Sequence, residues 1–249
     1  TVTLDTTAST WIGSFADASV GDDKQVTVTG LIPTGTHGAN YTVAPYTTTA
    51  TIGKKELTVS NITANDREYD GTTVATLSGN GSLNGVVGTD DVDLNDSSNW
   101  TGTFSDASVE TDKTVTVTGL KPLTGNHAGN YTIPEEYLTS ATISILIKEL
   151  TVSNITANDR EYDGTTVATL GTTYSLDGIV EGETVTLDTT ASTWIGSFAD
   201  ANAGDDKQVA VTDLIPTGTH GANYTVAPYT TGATIGKKEL TVSNITAND

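Results

Sequence analysis

The octet TDDVDLND at residues 89–96 places Asp90, Asp91, Asp93 and Asp96 close together in the chain. Four carboxylates at that spacing are oxygen donors of the kind calcium takes, since the ion wants about six to eight carboxylate, carbonyl or water oxygens. Calcium is therefore the one cofactor the sequence suggests, with these four residues as its candidate ligands. The pairs Asp22/Asp23 and Asp205/Asp206 are smaller acidic clusters. No EF-hand loop surrounds any of them, and the corresponding segment of a later copy reads GETVTLDT (182–189). A site shared by all copies is thus not implied, and solvated acidic loops are the competing reading. The histidines are His37, His127 and His220, one per copy in the same G-x-H or N-H context. One imidazole per copy cannot form a cluster within a copy, and neither a Ser-His-Asp spacing nor a cysteine accompanies it. No catalytic or cofactor-binding residue is assigned, and the expectation is that the chain is not an enzyme.

The residues offer two further chemistries. A Lys–Asn crosslink would suit a load-bearing protein, with Lys55, Lys148 and Lys238 beside Glu56, Glu149 and Glu239, and Asn130 or Asn223 as partners. Lys-Glu pairs of this kind are more often exposed ion pairs. Trp11, Trp100 and Trp194 recur once per copy and could stack on a sugar ring. In the two aligned segments Trp194, Gly196 and Phe198 match Trp100, Gly102 and Phe104, while Ile195 and Ser197 become Thr101 and Thr103. Positions two apart share one face of a strand. Trp, Gly and Phe are therefore read as the inward set, with the glycine letting the aromatic pair close over it.

These residues sit in a tandem array. Residues 1–66 recur as 184–249, differing only at Ser19/Asn202, Val20/Ala203, Thr27/Ala210, Gly30/Asp213 and Thr49/Gly232. KELTVSNITANDREYDGTTVATL stands at 55–77 and again at 148–170. The period is about 90 residues, which marks a repeat architecture. The expected division is a module lacking its N-terminal strands at 1–53, complete repeats at 54–147 and 148–236, and the first strand of a further repeat at 237–249. Because Thr1 corresponds to Thr184, inside a repeat, the sequence reads as a stretch of a longer array. The front module raises the expectation that strands supplied by an identical chain could complete it.

Composition narrows the partners. The net charge is -20, from 31 acidic and 11 basic residues. Phosphate backbones need basic stripes, so nucleic acid is not expected as a partner. Anionic membrane surfaces are disfavoured for the same reason, and no apolar run is long enough to insert into a bilayer. Cysteine is absent, which excludes disulfide scaffolds and thiolate metal sites.

Thr and Gly abundance favours strands and turns over helices. ELTVSNI (149–155) alternates Leu150 and Val152 inward with Thr151 and Ser153 outward. REYDGTT (160–166) reads as a turn, with Gly164 suited to a positive φ and Asp163 to a local side-chain bond to the backbone. GETVTLDT, STWIGSF, KQVAVTDL, NYTV and GATI follow as short strands, and GDDK (21–24, 204–207) or ETDK (110–113) reads as a hairpin tip. About seven strands per repeat predict an all-β, Ig-like sandwich, with modules joined in an extended rod. A small β-grasp-like sheet is the alternative. The junctions carry no Gly/Ser- or Pro-rich spacer, which limits hinge freedom.

The block ITANDREYDGTTVA, followed by W-x-G-x-F, K-x-V-x-V, G-x-N-Y-T and A-T-I, resembles the YDG-type repeats of large bacterial surface and adhesin-like proteins. The resemblance covers essentially the whole chain. It implies an extracellular, cell-surface, tandem all-β stalk or fibre segment and no catalytic residues. Neighbouring repeats are the expected partners, with identical chains in a fibre, or a surface glycan or protein, as the others. Multivalent weak binding of a glycan or protein is the alternative function, in which repetition gives avidity.

Overall fold

Strand Lys148–Ser153 shows why the alternation matters: Leu150 is fully buried and Val152 nearly so, while Glu149, Thr151 and Ser153 face solvent. The apolar face supplies the burial that orders an otherwise polar strand. The computed structural model describes residues 1–7, 11–139, 143–190 and 194–247, and over them the protein is all-β. Among the described residues the only helical pieces are four single 3-10 turns, at 38–40, 97–99, 128–130 and 221–223. The chain divides into two compact units, Thr1–Ala64, Ala75–Thr103 and Val115–Ser140 in the first, and Asn65–Val74, Phe104–Thr114 and Ala141–Asp249 in the second.

The second unit contains the whole repeat 148–236. Its main sheet has five strands in the order Arg160–Glu161, Tyr229–Gly236, Gly204–Thr212, Ile195–Phe198, Val167–Ala168. The first pairing is parallel and the other three are antiparallel. Lys148–Ser153 pairs in parallel with Tyr224–Val226 through residues 148–150, and antiparallel with Ser175–Asp177 through residues 151–153. Period-2 patterning specifies a strand but not the direction of its neighbour, so the parallel pairings were not legible in it. Among the described residues two clusters of the core stand out. One joins Val152, Ile155, Leu187, Val211 and Leu214, the other Ala168, Phe198, Val209, Ala233 and Ile235, and Leu170 packs against both. From the preceding repeat the same unit holds a sheet in which Ile143–Leu146 pairs antiparallel with Glu110–Lys113 and parallel with Arg67–Glu68.

The first unit carries the sheet Ile12–Phe15, Gly21–Thr29, Tyr46–Ile52, in the register of its later copy: Ile12 faces Thr29 as Ile195 faces Thr212. Thr58–Ser60 pairs with Ser82–Asn84, Thr63–Ala64 with Leu77–Ser78, and Lys55–Glu56 in parallel with Tyr131–Thr132. Its buried apolar residues are Leu57, Ile62, Ala75, Val92, Val115, Val117, Leu120, Tyr131 and Ile133.

The GDDK segments are not hairpin tips. Gly21–Lys24 and Gly204–Lys207 open nine-residue strands, at a register shift, and ETDK forms the four-residue strand Glu110–Lys113 with the same shift. The third residue of each, Asp23, Asp112 or Asp206, has a positive φ of 47–60°. An extra residue in one strand of an antiparallel pair must be absorbed locally, and Asp tolerates the left-handed conformation that does so. The glycine of the W-x-G-x-F strand also serves a different end. A Cβ on Gly196 would stand 2.8 Å from Leu170 Cδ2 and from the Ala168 carbonyl oxygen, and one on Gly102 would stand 2.6 Å from Leu77 Cδ2. It is the leucine two residues past the adjacent strand, rather than the aromatic pair, that closes over the glycine.

Candidate intermodule joint

The Tyr-Asp-Gly loop is held the same way in both of its copies. The Asp163 carboxylate accepts from the Thr165 backbone N–H at 2.8 Å and from the Thr165 hydroxyl at 2.8 Å, and pairs with Arg160. These partners, the Thr165 amide first, pull the Asp163 carboxyl down to about 2. Asp70 makes the matching bonds to Thr72, at 2.8 and 2.9 Å, and the matching pair with Arg67. Each arginine lies over a core phenylalanine, Arg67 5.3 Å from the Phe104 ring centre and Arg160 5.2 Å from Phe198. Gly71 and Gly164 take φ values of 76° and 83°, which a side chain would strain. The preceding tyrosine is fixed by its own amide, Tyr69 to the Leu146 carbonyl and Tyr162 to the Gly236 carbonyl, both at 2.9 Å. The loop is therefore a rigid platform with its charge neutralised internally.

Within the second unit, the Tyr69 loop meets the following repeat. Tyr69 donates its hydroxyl to Glu183 Oε1, and Tyr224 donates to Glu183 Oε2 at 2.5 Å. The two rings meet edge to face, 5.5 Å between centres. The Tyr224 oxygen accepts from the Val180 amide at 3.1 Å, and Asn223 Oδ1 accepts from the Val109 amide at 3.1 Å. Burial, reinforced by the bond to Glu183, pushes both phenols up to about 12. A Cβ on Gly71 would stand 2.9 Å from Val180 Cγ1. The first unit repeats the receiving side. Tyr131 donates to Asp90 Oδ2 at 2.6 Å and accepts from the Val87 amide at 3.1 Å, while Asn130 Oδ1 accepts from the Val20 amide at 2.9 Å.

The residues singled out from sequence are thereby placed. Asp90 serves Tyr131; Asp91 Oδ2 accepts from the Asn126 amide at 2.9 Å and its side-chain nitrogen at 2.7 Å. Asp93 meets Thr124 through its own backbone, the Thr124 hydroxyl also donating to the Asp93 carbonyl at 3.3 Å, and Asp96 caps the 3-10 turn at 97–99 by accepting from the Ser98 amide at 2.8 Å. Among the described residues no three His, Asp or Glu side chains converge as a metal would require. His127 and His220 Nδ1 accept from the Asp91 and Thr184 amides at 2.9 and 3.4 Å, so they brace a turn. Of the crosslink candidates, Lys148 Nζ lies 3.0 Å from Glu68 Oε1, and Asn130 and Asn223 accept from the backbone amides already named. Trp100 donates to Asn95 Oδ1 at 2.7 Å, and Trp194 packs on Tyr174. Both are half-buried, whereas Trp11 is exposed.

Sequence reasoning did not identify Tyr69, Glu183 and Tyr224 as a joint. A signal was there: TDDV and GETV differ at most positions yet keep an acid at 90 and 183, and the Asn-Tyr of GANY or AGNY is present in every copy. A comparison with curated proteins finds no match. The family model described as the YDG domain matches residues 1–50, 53–141 and 147–233. The loop geometry and this match agree on the unit of repetition, and the chain belongs to the YDG domain family.

Proposed function

We propose that the chain is a structural stalk or spacer segment of a repetitive bacterial cell-surface adhesin or extracellular fibre protein. The observation that carries this reading is the joint: a half-buried carboxylate, Glu183, shared by two phenols of two successive repeats. Such a contact resists hinge motion, which a spacer needs and a string of independent binding modules does not. Near-identical copies then add length while repeating one local solution. The charge of -20 favours dispersal over collapse of repeats on one another. Small-angle scattering tests the proposal. A compact chain of this size has a radius of gyration of about 18 Å. A stalk of repeats each about 35–45 Å long, from strands rising about 3.3 Å per residue, reaches a maximum dimension of about 100 Å or more. A radius of gyration near the compact value ends the stalk reading.

A further inference from the structure

The loop at Tyr162–Gly164 has the same sequence, turn bonds and arginine pairing as the loop at Tyr69–Gly71, but different surroundings. Tyr69 is 3% exposed and Tyr162 is 41% exposed. A Cβ on Gly71 meets Val180 at 2.9 Å, whereas one on Gly164 meets nothing nearer than the Tyr162 hydroxyl at 3.9 Å.

We infer that the tyrosine and glycine of this loop form a recognition surface for the carboxylate–phenol–valine end of another YDG module, and that Tyr162 and Gly164 are an open copy of that surface. The chemistry specifies the partner. The phenol offers one O–H, so the partner must bring an acceptor, and Glu183 brings a carboxylate whose second oxygen is held by Tyr224. The glycine leaves room for a branched side chain, and Val180 fills it. Asp70 and Asp163 are turned into their own loops by Arg67 and Arg160, so the approaching carboxylate meets a surface whose charge is already paired. The receiving end is not peculiar to one repeat, because Asp90, Tyr131 and Val87 reproduce it in the first unit. A small-molecule or unrelated protein ligand would have to imitate all three groups; a further module carries them already. This inference deepens the spacer reading by naming what locks one repeat to the next, yet it rests on contacts and not on length.

The two loops are each other's control. Gly71→Leu and Gly164→Leu impose the same backbone strain, but only the first also drives a side chain into Val180. In the 249-residue protein, calorimetry is expected to show Gly71→Leu lowering the melting midpoint by about 2 °C or more beyond Gly164→Leu. Tyr69→Phe, which keeps the ring and removes the donor, is expected to lower it more than Tyr162→Phe. Equal effects within both pairs overturn the inference. In a chain lengthened at its C-terminus by residues 160–236, so that the repeat begun at 237 is complete, Gly164→Leu becomes as damaging as Gly71→Leu. A Gly164→Leu that stays mild there overturns the assignment of Tyr162 and Gly164. A compact scattering profile, by contrast, ends the stalk proposal and leaves these paired substitutions intact.

Discussion

Lys113 is a buried cation in a protein with few cations. Its side chain is 1% exposed, and its ammonium lies 2.8 Å from Asp106 and 3.4 Å from Glu110. The pairing recurs as Lys24 with Asp17 and Lys207 with Asp200, each lysine reaching back from the bulged strand. Desolvating an ammonium without a partner is far costlier than desolvating the pair, so the carboxylate is what makes the burial tolerable. The bond from Lys113, then that from the Ser108 amide, holds the Asp106 carboxyl well below the usual carboxylate range. A depressed folded value contributes stability above the unfolded value near 4 and loses it as pH falls toward the folded one. Asp106→Asn is therefore expected to melt below the parent at pH 7, with the gap narrowing as pH is taken under about 4. A gap independent of pH, measured by thermal melts across that range, contradicts this. Tyr69 and Tyr224 work in the other direction. Their phenols are pushed up to about 12, by burial first and by Glu183 second. Their contribution is full below the unfolded value of about 10 and is lost as pH rises toward about 12. Spectrophotometric titration should show Tyr69 and Tyr224 ionising at about 12, and Glu183→Gln should bring both down.

At the scale of the strand, the glycine in W-x-G-x-F decides how closely neighbours approach. Gly196 lies under Leu170 and against the Ala168 carbonyl, and a backbone oxygen cannot move aside as a flexible side chain can. Gly196→Ala is expected to cost about 1–3 kcal/mol, as overpacking does. Gly13→Ala, where the nearest atom is Val26 Cγ1 at 3.4 Å, should be neutral or stabilising by up to about 1 kcal/mol. Urea denaturation of the two variants checks the contrast, and equal losses would mean the leucine contact is not what the glycine serves. This position also shows what the sequence makes legible. The inward faces of Leu150, Val152, Val185, Leu187, Val209 and Val211 follow from alternation alone, because burial on one side of a pleat repeats every second residue. The Asp163 turn and the positive φ of Gly164 follow equally from local chemistry. What covers a glycine does not, since Leu170 comes from the segment just past strand Val167–Ala168, distant in sequence. The GDDK bulge was misread because a turn and a bulge favour the same residues, Gly and Asp, and only the pairing register separates them. The separate roles of the acidic octet are not legible either: its carboxylates are neighbours in the chain but make separate local bonds, to a phenol, an asparagine amide and a 3-10 cap. The joint was missed because its members, Tyr69, Glu183 and Tyr224, lie far apart in sequence and belong to two repeats.

For the whole molecule the governing quantity is the charge of -20, with eleven cations largely committed to local pairs. Unpaired carboxylates repel one another more in the folded protein than in the expanded unfolded chain, so self-repulsion opposes folding. Salt should relieve it. At about 0.01 M ionic strength the screening length is about 30 Å, long enough to couple charges across a repeat; at about 0.15 M it is about 8 Å. The melting midpoint is therefore expected to rise between those conditions, even though the same salt weakens the exposed ion pairs, because those pairs contribute little individually. Calcium provides the discriminating comparison. A coordination site would stabilise the folded state by mass action, over and above screening. Diffuse attraction to an acidic surface would act through ionic strength and valence alone, gradually and without saturating. Asp90, Asp91, Asp93 and Asp96 each have a separate partner or a separate backbone role, and among the described residues no three acidic or histidine side chains converge. Micromolar calcium added to chelator-treated protein in 0.15 M sodium chloride should accordingly leave the midpoint where it was. A saturable rise at micromolar calcium that magnesium does not reproduce, and that Asp91→Asn removes, would instead mean that the octet rearranges around the ion, and that its bonds to Tyr131 and Asn126 are the resting arrangement of a metal site.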